Sequence, residues 1–456
     1  MGETKQTLNQ EVGLKRVLNL PLLIMFGLAY LAPTVVFNYY GIFTVSTGGL
    51  YPMGFIIATA VMLFTAYSYV HMVDVYPRAG SAYTYVQKSV QPHVGFLTGW
   101  VMLIDYLLLP MICYLLLGIY INEYFPSLPI WLIVVVVAAI GAYINIIGTK
   151  TAGIINTIII AAQIGFTLLF IIVAAKYITG GGGAGTLADS TAVYNPATFE
   201  FSSMLAATAV LCVSFVGFDA ITTMAEETKN PRKIMGPAII GVVLIAGVLF
   251  FITSFVAQLS WPDAYQHIEN PDAGIFELFP QMGSPWMGDL FFVTDNLASF
   301  ICAMAAMAAV TRILYGMGRD NILPKKFFGK LSPKFQTPVN NILLTTLIAL
   351  SALFYQDNLL GAASLIAFGA VLGFFMVNLS VICHYFVKMK LRGVKNTLKY
   401  LVVPGIGMAT LAVLFVYIET NAKILGCIWL AIGVVYLAFK TKGFKRLPPE
   451  MSLEEQ

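Results

Sequence analysis

Apolar runs of about 20 residues recur from one end of this 456-residue chain to the other, separated by short polar segments. A run of that length, coiled as an α-helix, matches the hydrocarbon thickness of a bilayer, so the pattern predicts helices that cross a membrane. Twelve are expected, at residues 17–46, 53–76, 93–124, 130–147, 152–178, 201–226, 233–260, 287–317, 339–356, 360–387, 397–418 and 422–440. Polar tails flank them over 1–16 and 441–456. The expected fold class is an all-α polytopic membrane protein with no separate soluble domain.

Composition agrees, with 59% hydrophobic and 11% charged residues. Charge adds orientation, because loops rich in Lys and Arg stay in the cytoplasm. With both termini inside, the twelve spans place 24 of the 26 basic residues on the inner side and only Lys176 and Lys423 on the outer. A wrong span count would scramble that split. The outer loops instead carry acids, among them Glu123, Asp189, Glu200, Asp272, Glu277 and Asp357. Two readings stand for these: a negative face that gathers cations, or acids that merely keep loops soluble. The polar first 16 residues lack the apolar core of a cleavable signal peptide, so none is expected. All five cysteines fall inside apolar runs, which favours packing over a disulfide framework. The four histidines show no metal-ligand spacing. No metal, cofactor or nucleic-acid partner is expected, and no nucleophile–base pair or phosphate loop suggests an enzyme.

Two spans are interrupted. The first contains Phe26-Gly-Leu-Ala-Tyr-Leu-Ala-Pro33, where glycine and proline weaken the helix, and the sixth contains Ser214-Phe-Val-Gly-Phe-Asp219. Broken helices at matching positions of two five-helix halves point to an inverted-repeat transporter with its site at mid-membrane. The halves would run over 17–178 and 201–387, joined by an outer loop at 179–200 and followed by two further helices at 397–440. Taken singly, each break is equally compatible with helix packing or a kink.

Unwound backbone and half-helix dipoles can hold a small polar solute, so Gly27, Leu28, Ala29, Ser214 and Gly217 are candidate substrate contacts. Asp219 lies just past the second break, where a carboxylate would bind an ammonium group or relay a proton. Asp105 and Asp295 are two more acids inside apolar runs. An ionised acid at the bilayer centre costs about 2.5–3.5 kcal/mol on insertion scales, so each should face the bundle interior. Interior acids without a basic partner at similar depth suit a cationic substrate, with protonation of one as a means of coupling to a proton gradient. Tyr30, Tyr106 and Phe218 are candidates for a cation–π wall. Glu226 and Glu227 fall where the sixth span meets the cytoplasm and read as a gate or tether toward Lys229 and Arg232.

Phe215-x-Gly-Phe-Asp219, followed by Glu226-Glu227-Thr-x-Asn-Pro-x-Lys233, resembles the sixth-helix signature of the amino acid/polyamine/organocation superfamily. Gly27-Leu-Ala-Tyr-Leu-x-Pro33, Gly80-Ser-Ala-Tyr-Thr-Tyr-x-Gln-Lys-Ser89, Asp105-Tyr-Leu-x-Leu-Pro-Met-Ile112 and Tyr315-x-Met-Gly-Arg-Asp-Asn321 are similar to its bacterial putrescine importers. The resemblance implies a LeuT-type fold of five plus five inverted helices with two appended, discontinuous helices 1 and 6, and alternating access. It also implies a gating acid at Asp219. Amino acid carriers of this kind hold a substrate carboxylate on a Gly-Ser-Gly-like turn, which here reads Gly27-Leu28-Ala29 and lacks a hydroxyl, favouring a substrate without a carboxylate. Their proton-coupled members place a lysine where this chain has Gln163, which cannot titrate, so coupling would rest on an acid, the membrane potential or exchange. The expectation is a plasma-membrane importer of putrescine or a related amine, driven by protons; an amino acid permease or exchanger is the alternative, and a membrane enzyme or a polyamine sensor without flux a third reading.

Overall fold

The computed structural model describes residues 18–76, 81–148, 152–226, 228–319 and 321–448. The N-terminal tail expected over 1–16 lies outside them, as does Glu227. Among the described residues every element is helical, and the one β-type pairing is an isolated parallel bridge between Leu18 and Thr228.

The principal helices are α1 (Leu20–Tyr30), α2 (Tyr40–Ser46), α3 (Tyr51–Val75), α4 (Ser81–Ser89), α5 (Pro92–Tyr124), α6 (Ile130–Ile147), α7 (Ala152–Thr179) and α8 (Phe201–Leu211). They continue with α9 (Pro231–Ser260), α10 (Trp286–Arg319), α11 (Val339–Ala349), α12 (Leu359–Val381), α13 (Val403–Tyr417) and α14 (Thr420–Lys440). Helix is the form these runs must take in hydrocarbon, because it satisfies every backbone N–H and C=O within the segment. Their starts are marked by prolines in the first turn of α1, α3, α5, α9 and α13, where the missing N–H is not needed. Asn19 adds a side-chain cap, accepting from the Leu22 N–H at 3.1 Å.

Among the described residues, ten segments are long and apolar enough to cross a membrane. Each coincides with a predicted span. The two remaining predicted spans are 17–46, which is broken, and 339–356, which appears as the shorter apolar helix Val339–Phe354. The protein is a polytopic helical membrane protein.

The core lies where α3 meets α9 and where α5 meets α10 and α12. The α5 window is 78% buried against only 22% for the segments containing α13 and α14, which therefore sit at the periphery. One reciprocal contact ties the periphery to the core. Trp100 and Trp429 stack at 4.8 Å, and each indole N–H donates to the other's backbone carbonyl, at 3.0 and 2.8 Å.

Candidate substrate site at two broken helices

The second break is sharp. α8 ends at Leu211, tightens into a 3₁₀ turn over Cys212–Phe215, and resumes as 3₁₀ helix over Phe218–Glu226. Gly217 makes this possible with φ of +114°, a conformation that a side chain strongly disfavours. The Gly217 N–H, freed from the helix ladder, donates to Asp219 Oδ1 at 3.2 Å. The Asp219 carbonyl in turn accepts from the Thr222 hydroxyl at 2.6 Å.

The first break lies later than the Gly27-Leu28-Ala29 turn suggested by sequence. Those three residues are helical within α1, and the chain departs at Leu31–Thr34, where Ala32 has φ of +46°. Pro33 is the cause: it offers no N–H to the carbonyl four residues back and disfavours helical geometry at Ala32. Gly27 has a different use. A Cβ there would sit 2.6 Å from Ile221 Cδ1 and 2.7 Å from Val242 Cγ2, so the glycine lets α1 lie directly on the segment after the second break. The Leu18–Thr228 bridge and the Lys229 N–H bond to the Leu18 carbonyl, 2.9 Å, join the same two spans at one end.

Asp219 is 9% exposed, and the Tyr69 hydroxyl of α3 donates toward its Oδ2 at 3.5 Å. Aromatic rings cluster beside it. Tyr69 meets Phe218 edge-on at 5.2 Å and Tyr85 at 5.9 Å, and Phe374 of α12 lies 5.5 Å from Phe218. Asp105 approaches from α5, pressed against Gly369 of α12, with Oδ1 buried and without a hydrogen-bond partner. It lies within electrostatic range of Asp219. A buried carboxylate beside a cluster of aromatic rings, with a second acid near it, is chemistry that suits an organic ammonium ion.

Other predicted residues fall elsewhere. Asp295 on α10 is 1% exposed, accepts from the Ser299 hydroxyl at 3.5 Å, and has Thr34 and Asn38 beside it, in a separate polar cluster. Ser214 is buried, and its Oγ has no hydrogen-bond partner. Gln163 is 5% exposed on α7, whereas Tyr106 is 40% exposed, outside the buried cage. Leu28 is partly buried against the core. The side chains of Ala29, Tyr30 and Glu226 lie outside the described residues. Sequence reasoning missed Tyr69, Tyr85 and Phe374, which carry no signal in a chain that is 13% aromatic. Thr34 and Asn38 had one, being polar residues four apart in an apolar run and hence on one helical face.

Long apolar helices around two broken spans, with a buried acid at the break, define a membrane carrier. The amino acid permease family profile matches residues 23–439, and the chain belongs to that family, within the amino acid/polyamine/organocation superfamily. It is 39% identical over 442 residues, 96% of each chain, to the low-affinity putrescine importer PlaP of Escherichia coli K12. It is 27% identical, over 95% of each chain, to the branched-chain amino acid permease BcaP of Bacillus subtilis. The methylthioribose transporter of Bacillus subtilis is 25% identical over 96% of each chain.

Proposed function

We propose that this protein is a secondary active importer of putrescine or a related polyamine or organic cation, coupled to protons, in a bacterial plasma membrane with both termini cytoplasmic. Its architecture would be twelve spans in the LeuT-type arrangement, two inverted five-helix halves followed by two helices, working by alternating access. The observation that carries the substrate is the 39% identity over 96% of the chain to a putrescine importer. The aromatic cluster beside Asp219, with Asp105 in electrostatic range, supports it from chemistry. In this reading Asp219 binds the ammonium and gates, Asp105 and Phe218 complete the pocket, and Gly217 supplies the backbone break. Ser214 and the span-one residues Gly27 to Tyr30 line or support the same region. Glu226 and Glu227 act as the inner gate.

The similarity to a branched-chain amino acid permease favours a second reading, an amino acid carrier on the same scaffold. Radiolabelled putrescine uptake into proteoliposomes separates the two. Uptake stimulated by an inward proton gradient and competed by diamines but not by arginine or alanine is expected; uptake of an amino acid with no putrescine flux would replace the first reading by the second. Asp219→Asn should abolish putrescine uptake while the purified protein stays monodisperse. Uptake at the wild-type rate in that variant would remove Asp219 from the mechanism.

A further inference from the structure

The buried acids divide into two centres of different chemistry. Asp105 and Asp219, in electrostatic range of one another beside a cluster of rings, form one. Asp295 forms the other. Its neighbours are hydroxyl, amide and thiol groups: the Thr34 hydroxyl, the Asn38 amide and the Ser299 hydroxyl, which donates toward Oδ2 at 3.5 Å. Asn38 Oδ1 accepts from the Tyr120 hydroxyl at 3.2 Å, so its amide nitrogen is the group left to face Asp295. The titratable groups whose fields involve Asp295 are Tyr120 and Cys113 of α5 and Cys302 of α10 itself.

The cluster is shut off from bulk water: Asp295 is 1% exposed, Thr34 1%, Ser299 7% and Asn38 9%. A proton needs only the carboxylate and the polar groups around it. The hydroxyls of Thr34 and Ser299 can each donate to a carboxylate or accept from a carboxylic acid, so they can adjust to either state. Thr34 closes the break in the first span, and Asn38 ends the short helix that follows it. A change of charge on Asp295 therefore acts directly on the outer half of that span.

We propose that Asp295 carries the coupling proton and that Thr34 and Asn38 transmit its protonation state to the segment beyond the first-span break. The proton arrives from the outer water, adds to the carboxylate, and leaves to the inner water after reorientation, so Asp295 returns to its starting state each cycle. This inference rests on the transport reading above and assigns Asp295 to coupling instead of substrate contact.

The test uses the full-length protein in proteoliposomes with the membrane potential clamped, comparing wild type, Asp295→Asn and Asp295→Glu. One readout is putrescine–putrescine exchange at equal pH, and the other is acceleration of net uptake by an inward proton gradient. Asp295→Asn should retain exchange and lose the acceleration, and Asp295→Glu should restore it. Persistent acceleration in Asp295→Asn, or equal loss of both readouts as a purely structural role requires, overturns the proposal. If Asp295→Asn is not recovered folded, Thr34→Val takes its place: exchange intact with weaker acceleration supports transmission, and unchanged acceleration overturns it. A wild type accelerated by a sodium gradient and not by protons overturns the coupling assignment while leaving putrescine transport standing. A wild type with no putrescine exchange fails the transport reading itself.

Discussion

Gly369 shows how a single residue without a side chain brings a charge into place. Asp105 Oδ1 fits directly against it, in space that any Cβ would occupy. Gly369→Ala should therefore displace the Asp105 carboxylate without disturbing Asp219, which rests on Gly217 and Tyr69. The expected outcome is a raised KM for putrescine with protein yield unchanged. Uptake kinetics check this, and an unaltered KM would show that Asp105 does not contact substrate. Tyr69, Tyr85 and Phe374 became visible only through this packing, because in sequence they are aromatic residues among many.

At the scale of elements, the two broken spans are built to lie on each other. Gly27 sits against Ile221 and Val242 with no room for a methyl group. Gly27→Val should overpack that crossing and cost about 1–3 kcal/mol of stability. A lowered thermal midpoint in detergent, read against Gly405→Val, where no atom lies within 4 Å of the added Cβ, tests the point. Beyond the C-terminal end of α9, the loop that follows it is wedged between the first span and α12. Gly41 contacts the backbone of Pro271 and Gly274, and Asp272 Oδ2 accepts from the Leu359 N–H at 3.3 Å. Ile42, Asn122, Asp272 and Asp357 line a cleft beside this contact.

Burial pushes the Asp272 carboxyl above its ordinary range, the Leu359 N–H opposes the shift, and Asp357 adds to it. A raised carboxyl favours the protonated folded form, so its contribution to stability is present at acid pH and lost as pH rises through the raised value. Asp272→Asn keeps an acceptor for Leu359 and removes that titration. Its thermal midpoint should fall less than that of wild type between mildly acid and neutral pH, and parallel slopes would show that Asp272 is ionised throughout.

For the whole molecule, the asymmetry of basic residues predicts the orientation in the membrane. Under the twelve-span reading, which puts 24 of 26 basic residues inside, a cysteine introduced at Gly182 should react with an impermeant thiol reagent from outside the cell, and one at Lys330 only after permeabilisation. Labelling at Lys330 in intact cells would invert the topology. The peripheral placement of α13 and α14 sets them apart from the most buried spans.

Span positions, the helical class and the two breaks were legible in the sequence, because lipid imposes one rule on every apolar run: satisfy the backbone locally or be excluded. Gly217, Phe218 and Asp219 were legible for the same reason, since a glycine and an acid in such a run stand out from their neighbours. The first break falls at the proline end of the stretch marked in sequence and not at Gly27-Leu28-Ala29, because glycine marks close packing as often as unwinding, and only tertiary contact with Ile221 tells which. Whether Asp105, Asp219 and Asp295 form one centre or two was likewise a matter of three dimensions. Helices distant in sequence bring the first two into electrostatic range and give the third to Thr34 and Asn38, and no periodicity along the chain encodes which helix becomes whose neighbour.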